Sequence, residues 1–257
     1  MVASDRWDTA EYSCQVFTTS AADLPYLSEL AHERVEAIAQ ACSRLRPDSE
    51  VNSLDDPQLM SPLLSAVVGA GLRAAEFSGG LVPQRCLPPV TEMTSSPGPQ
   101  RVQTPPRADP DLMPIASAWA ADWIAEEYSQ TYGTGCLVNL DDNIAARGAP
   151  PHCGWQIYLD DGQPSSRARQ PIPLWRGGMA SATSPEPSTA VLPDGTCAPR
   201  SWRTATVAAP TCERAKAAAL AALALGDSAP RWLTQRGLAA RLVHTGGITV
   251  QTHGWTD

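Results

Sequence analysis

Cys42-Ser-Arg-Leu-Arg-Pro-Asp-Ser-Glu-Val-Asn-Ser-Leu54 closes the first long amphipathic segment of the chain. Upstream, from Leu24 to Arg46, apolar residues recur at Leu27, Leu30, Ala31, Val35, Ile38, Ala39 and Cys42. That spacing predicts a helix with one buried face, with Asp23 available as its cap. Pro47 bars the helix from continuing, and Asp48, Ser49 and Glu50 are short or polar enough to satisfy a turn. The polar residues here, among them Ser43, Arg44 and Arg46, admit two readings: they finish a helix end, or they face a ligand pocket.

Outward from this stretch the elements alternate. Pro62 to Phe77 predicts a second helix, with Ser61 as cap, Leu64, Val67, Val68, Leu72 and Ala75 on its apolar face, and Gly79-Gly80 as its stop. Nine prolines between residues 83 and 114 predict a long irregular connector, and a third helix follows over Ile115 to Thr131. Cys136-Leu-Val-Asn-Leu140 and Trp155-Gln-Ile-Tyr-Leu159 read as short strands. A Pro-, Ser- and Thr-rich stretch, 181 to 201, reads as a loop. Strands are expected again at Arg203 to Ala209, Ala240 to His244 and Ile248 to Thr252, with a helix over Cys212 to Leu225 between them. The chain is therefore expected to be mixed α/β (α+β) with substantial antiparallel character, folded as one domain over residues 1–257.

Composition narrows the function. The net charge of -8 and the scatter of the arginines leave no basic stripe for nucleic acid. Seven dispersed cysteines without a C-x-x-C pair fit reduced thiols, and each is expected to be buried rather than nucleophilic. The opening Met1-Val-Ala-Ser-Asp-Arg-Trp-Asp8 carries two acids and no apolar run, which predicts neither a signal peptide nor a membrane anchor and, with the thiols, a cytoplasmic protein. His32, His152, His244 and His253 belong to no catalytic spacing. The chain holds 18 arginines and one lysine, Lys216, inside the alanine-rich helix.

The Cys42–Leu54 run resembles the F-S-x-F-R-P-D-S-E-l-s-x-L-N segment of the FAD:protein FMN transferases, the ApbE-like family. Further segments match in the family's order: Ser78-Gly79-Gly80, Asp111-Leu112 followed by Ala116 to Asp122, Leu137-Val-Asn-Leu140 before Ile144, Gly154-Trp155, Gly177-Gly178, Trp202-Arg203-Thr204, and Gly226 closing the alanine helix. The resemblance covers nearly the whole chain and implies the ApbE-like fold, mixed and largely antiparallel sheets with flanking helices.

It also implies what has changed. Active members bind FAD and use magnesium to move its FMN half onto a threonine of a target protein, a transfer that needs cations against a charged diphosphate. The family's A-D-x-x-x-T motif presents two metal ligands on one helix face. Aligned on Gly226, those positions hold Lys216 and Leu220, which have no lone pair to offer magnesium at neutral pH. The family's D-L-G-G-x-A-K-G reads Asp111-Leu-Met-Pro-Ile-Ala-Ser-Ala118, so Asp111 persists while Ser117 replaces the lysine and Met113-Pro114 fill glycine positions. Its G-G-D/E-I turn reads Asp141-Asp142-Asn143-Ile144, exchanging backbone permissiveness for charge. Its His/Asp-Pro flavin loop is replaced by 181–201, which holds no histidine; the A-T-S segment corresponds either to Ala182-Thr183-Ser184 or to Ala180-Ser181-Ala182.

The residues that would line the pocket are then Ser43, Arg44, Arg46, Asp111, Ser117, Asn139, Asp141, Asp142, Asn143, Thr183 and Ser184. Lys216 is the candidate catalytic group, as a fixed cation, general acid or base, or imine-forming amine. Asp141-Asp142-Asn143 reads equally as a solvated turn, and Lys216 equally as an exposed helix lysine. No metal is expected, and FAD is not required. Three uses stay open: a repurposed, metal-independent enzyme acting on a small molecule, as in secondary metabolism; a non-catalytic protein binding a flavin or a protein partner; and residual FMN transfer with metal held by Asp111, Asp141 and Asp142.

Overall fold

The structure is a computed structural model that describes residues 2–53, 60–82, 112–159, 171–184 and 200–255. Eight strands form one antiparallel sheet: β1 (Ala3–Asp8), β2 (Ser13–Thr18), β3 (Cys136–Leu140), β4 (Asn143–Arg147), β7 (Gly177–Thr183), β8 (Trp202–Ala209), β9 (Ala239–His244) and β10 (Thr249–Gln251), in that spatial order. A hairpin of β5 (Trp155–Ile157) and β6 (Ile172–Leu174) stands apart from it. Among the described residues there are five α-helices, α1 (Leu24–Cys42), α2 (Pro62–Ser78), α3 (Met113–Tyr132), α4 (Cys212–Leu225) and α5 (Ala229–Gln235), besides short 3-10 turns.

Alternation along the strands divides the sheet into two faces. Cys14, Val16, Val138, Leu140, Ala145 and Ala180 pack with α1, α2 and α3, while Ala205, Val207, Ala240 and Leu242 pack with α4 and α5. The intervening residues Leu137, Ile144, Ala146 and Met179 point the other way and pack under Trp155, Ile157 and Leu174 of the hairpin. The hairpin thus covers the face that the helices leave bare.

Several boundaries differ from the sequence reading. Helix α1 ends at Cys42, not Arg46, because Ser43 is extended at φ -72 and ψ 125. Residues ahead of a proline are pushed out of the helical region, and Arg46 precedes Pro47. Asp23 precedes the helix but makes no side-chain cap bond. Helix α3 starts at Met113, two residues before the expected start, since Pro114 falls at the first positions of the helix, where its missing N–H costs nothing. The segment read as a loop from residue 181 begins as strand: Ser181, Ala182 and Thr183 finish β7. Residues 83–111 and 185–199, the bulk of both expected irregular stretches, lie outside the described residues, as does Asp111. The caps on α2 match expectation, with Leu64 N–H donating to Ser61 Oγ and Gly79 left-handed at φ 67.

One glycine sets the register of α4. A Cβ on Gly178 would lie 2.1 Å from Cys212 N, so only glycine lets the start of α4 seat on β7. The helix begins there with Thr211 accepting from Arg214 N–H. Asp122 of α3 adds a second tether: its Oδ2 accepts from Glu213 N–H at 2.9 Å and its Oδ1 from Arg147 Nη2 at 2.8 Å. Arg147 also donates to Glu126 and to the carbonyls of Ala146 and Gly177. Its buried charge is thereby balanced and hydrogen-bonded on every side.

Candidate functional site

Seated this way, α4 carries Lys216 one turn further, opposite the end of β7. The exposed-lysine reading is wrong: Lys216 is only 9% exposed, and Nζ donates to the backbone carbonyl of Ser181 at 2.6 Å. That carbonyl lies where β4 has already turned away. Ser181 N–H reaches Asp142 O at 3.3 Å, and the Lys216 amine caps the Ser181 oxygen beside it. Burial pushes the Lys216 pKa below the ordinary value of 10.5, against the pull of Cys212, Asp142 and Asp141 towards the charged form. Leu220, one turn on, packs among Ala70, Ala74 and Ile115 and brings no oxygen to this point.

The β3–β4 turn stands beside the amine. Asp141 and Asp142 are exposed and take positive φ values, 49 and 61, so they adopt the backbone that glycines would supply despite their side chains. Asp141 is held by Ser13, donating its N–H to Ser13 O and accepting Ser13 N–H at Oδ1. Asn143 is buried, and its Nδ2 donates to Ser117 Oγ at 3.0 Å, Leu140 O and Asp141 O, while its Oδ1 has no partner among the described residues. Ser117 donates back into its own helix at Met113 O. The structure therefore brings Ser117, Asn143, Asp141, Asp142 and Lys216 together at one end of the sheet.

The described part of the Cys42–Leu54 segment, residues 42–53, is held by its own turn and by its neighbours. Ser43 Oγ donates to Glu11 and accepts from Leu45 N–H, Ser49 Oγ donates to Ser43 O, and Asn52 Nδ2 to Arg46 O at 2.6 Å. Glu50 accepts both the N–H and the hydroxyl of Ser61, tying the loop to α2. Arg46 is paired with Glu36 on α1, and Arg44 is exposed. Helix-end and turn satisfaction thus accounts for Ser43, Ser49 and Glu50. Glu11 and Tyr12 link this loop to the site, since Tyr12 OH reaches Met113 Sδ at the start of α3 and Ser13 holds Asp141.

Asn139 and Thr183 belong elsewhere. With Asp142 they line a cleft of about 420 Å³ on the outer face, under the β5–β6 hairpin, together with Gln15, Phe17, Ser181, Thr206 and Arg241. Ser184 caps the strand end by donating its N–H to Arg203 O. Sequence reading missed Glu11, Tyr12, Thr206 and Arg241, and offered Ser181 only within one of two alternatives for the A-T-S segment. The alternation in Ser13-Cys-Gln-Val-Phe-Thr18 could have signalled β2, but nothing local marks the others.

Among the described residues the thiols offer no nucleophile at this site; Cys86 and Cys197 lie outside those residues. Burial pushes Cys14, Cys42 and Cys136 up to about 12 and Cys212 well above its ordinary range. Cys153 departs from the expected burial and is exposed. Of the histidines, His32 stacks on Trp7 at 3.9 Å and His244 accepts Gly246 N–H, while His152 and His253 are exposed. Among the described residues no group of three or more His, Cys, Asp or Glu is placed to hold a metal ion, and no helix is long and apolar enough to cross a membrane.

The sequence model described as "ApbE family" matches residues 90–242. The flavin transferase ApbE from Vibrio cholerae superposes with a TM-score of 0.78 at 16% identity, covering 99% of this chain and 98% of that one. The flavinyl transferase ApbE of Pseudomonas stutzeri, in its apo form, gives 0.76 at 18% identity over 98% and 96%. The apbe protein of Thermotoga maritima gives 0.80 at 16% identity over 98% and 97%. At these identities the likeness is one of fold. No curated protein sequence matches.

Proposed function

This chain belongs to the ApbE family, and we propose that within it the chain is a metal-independent enzyme acting on a small molecule, with Lys216 as the fixed cation of its site. The observation that carries this reading is the 2.6 Å bond from the buried Lys216 amine to Ser181 O. In the family, the resemblance implies, this helix face presents carboxylate and hydroxyl oxygens to magnesium. Here it presents an ammonium and an isobutyl group. The ammonium is a donor with no lone pair, and bringing a divalent cation beside it adds repulsion to the loss of ligands. The donor set does not fit magnesium, so no step is routed through a metal.

What the chain's own residues can do follows from their chemistry. Lys216 spends one donor on Ser181 O and keeps two more, beside the carboxylates of Asp141 and Asp142. A positive charge fixed in a partly dry setting stabilises an anion developing on a substrate without the reorganisation that water would need. Its lowered pKa brings proton donation nearer to neutral pH than for a solvated lysine. Asn143, held by Ser117 and the turn carbonyls, presents a fixed amide acceptor on the same side.

That acceptor also favours a second reading, in which the chain binds a flavin or a protein partner without catalysis. The orphan Oδ1 of Asn143 would take an N–H from a bound heterocycle, and FAD is then the natural ligand to try. Either use suits a cytoplasmic protein with no nucleic-acid partner. The test is covalent FMN attachment: the protein is mixed with FAD, magnesium and a threonine-bearing acceptor of a flavin transferase. The acceptor's mass is expected to stay unchanged. Magnesium-dependent FMN addition, abolished by chelation, overturns the proposal and reinstates transfer with metal held by other carboxylates. A flavin that co-purifies without transfer favours the binding reading.

A further inference from the structure

Phe77, near the end of α2, carries two arginines on its ring. The guanidinium of Arg214, in the first turn of α4, lies 4.6 Å from the ring centre, and that of Arg236, which caps the end of α5, lies 5.9 Å from it. Arg236 also lies 3.9 Å from the ring of Trp232, which meets Phe77 edge to face. Both arginines are exposed, and among the described residues neither side chain makes an ion pair or a hydrogen bond. Glu213, next to Arg214 in the chain, is taken by a two-pronged fork from Arg73. Fold stability does not account for the pair. A cation in the first turn of a helix opposes the helix dipole, two like charges at one ring repel, and no described carboxylate pairs with either. What the rings do supply is orientation. Stacking occupies the face of a guanidinium and leaves its in-plane N–H groups free, so the donors are aimed without being used.

The geometry selects the occupant. Because both guanidiniums lie over Phe77, they can be no further apart than their two distances from its centre laid end to end. Alternate residues of an extended strand stand about 6.6 Å apart on one side, within that bound, so two carboxylates at such spacing meet one arginine each. Beside Arg214 lies a recess of about 300 Å³, with Ala74, Phe77 and Ala217 as its apolar lining and the Arg73–Glu213 pair at its rim. A phosphate held at a helix start draws on free backbone amides, whereas at α4 Asp122 takes Glu213 N–H and Thr211 takes Arg214 N–H. We propose that this surface docks an extended acidic segment of a partner protein, one carboxylate on Arg214, the next on Arg236, and an aliphatic side chain in the recess. Arginine beside half-buried aromatic rings is the composition that dominates binding energy at protein interfaces.

The probe is the peptide acetyl-Ser-Leu-Ser-Glu-Ser-Glu-Ser-amide, titrated calorimetrically into the whole protein at low salt. Its twin with glutamine at both glutamates and inorganic phosphate are titrated alongside. The acidic peptide is expected to bind at least about tenfold more tightly than the glutamine twin, which loses two charge-assisted contacts, and more tightly than phosphate. Arg214→Gln and Arg236→Gln should each lower its affinity about fivefold. Arg6→Gln removes the same charge from β1, at the opposite edge of the sheet, and should leave affinity unchanged. Four results overturn the proposal: no binding of the acidic peptide at millimolar concentration, equal binding of its glutamine twin, binding of phosphate as tight as that of the peptide, or an equal loss from Arg6→Gln. The ligand series needs no variant, so it decides even if one of them fails to fold. Flavin, magnesium and Lys216 do not enter, so this failure is separable from the outcome of the FMN assay.

Discussion

Lys216 on α4 and Ser181 on β7, 35 residues apart, meet through a 2.6 Å bond between an amine and a strand-edge carbonyl. Replacing Lys216 with methionine keeps the length of the side chain and removes the amine donor to the carbonyl. Loss of the bond alone costs about 1–3 kcal/mol. The burial penalty of the charge is relieved at the same time, so the net change at pH 7 should be small, below about 2 kcal/mol in urea unfolding.

The pH dependence carries a definite sign. The folded Lys216 pKa lies below 10.5 because of burial. Between that lowered value and 10.5 the unfolded chain binds more protons than the folded one, so stability rises with pH across the window. Below the window the penalty is fully present. The wild type should therefore gain stability relative to Lys216→Met as pH climbs towards 10.5, read as a growing difference in denaturation midpoint.

A single lysine makes chemical labelling site-specific. Under native conditions an amine-reactive acetylating reagent should modify the α-amino group and leave Lys216 untouched, with Lys216 reacting only after denaturation. Mass spectrometry of proteolytic fragments reads this directly. Rapid native modification at Lys216 would mean that the amine faces water.

Gly178 and Asp122 hold α4 in place, and their loss should differ in size. Gly178→Ala forces a Cβ into the backbone of Cys212, and overpacking of this kind costs about 1–3 kcal/mol. Asp122→Ala strips the nearly buried Arg147 of a carboxylate and Glu213 N–H of its acceptor, with an expected cost of about 3–5 kcal/mol. Arg73→Ala removes the more exposed pair with Glu213 and should cost less than about 1 kcal/mol. Thermal melts of the three variants test the order.

Helix α4 was legible in the sequence from end to end, because its alanines are strong helix formers and glycine follows. Strands β4 and β7 were not. Asn143-Ile-Ala-Ala-Arg147 and Gly177-Gly-Met-Ala-Ser-Ala-Thr183 are built from small residues, buried on both faces, and show neither β-branched enrichment nor alternation. Without β7 the partner of Lys216 could not be seen, and its burial stayed undecided. The grouping of Ser117 with Asn143 came through family resemblance alone. The cleft lined by Asp142, Ser181, Thr206 and Arg241 is a product of strand register, which no local pattern in this chain specifies.

On the function proposed here, the ammonium of Lys216 stands where the family's metal would be bound. Selective ¹⁵N labelling of lysine gives a single side-chain resonance in this protein, and its pH titration, with and without millimolar magnesium, reads the charge of that one group. A midpoint below 10.5 and a curve that magnesium does not move are expected. A midpoint at or above 10.5, or a curve displaced by magnesium, would contradict it.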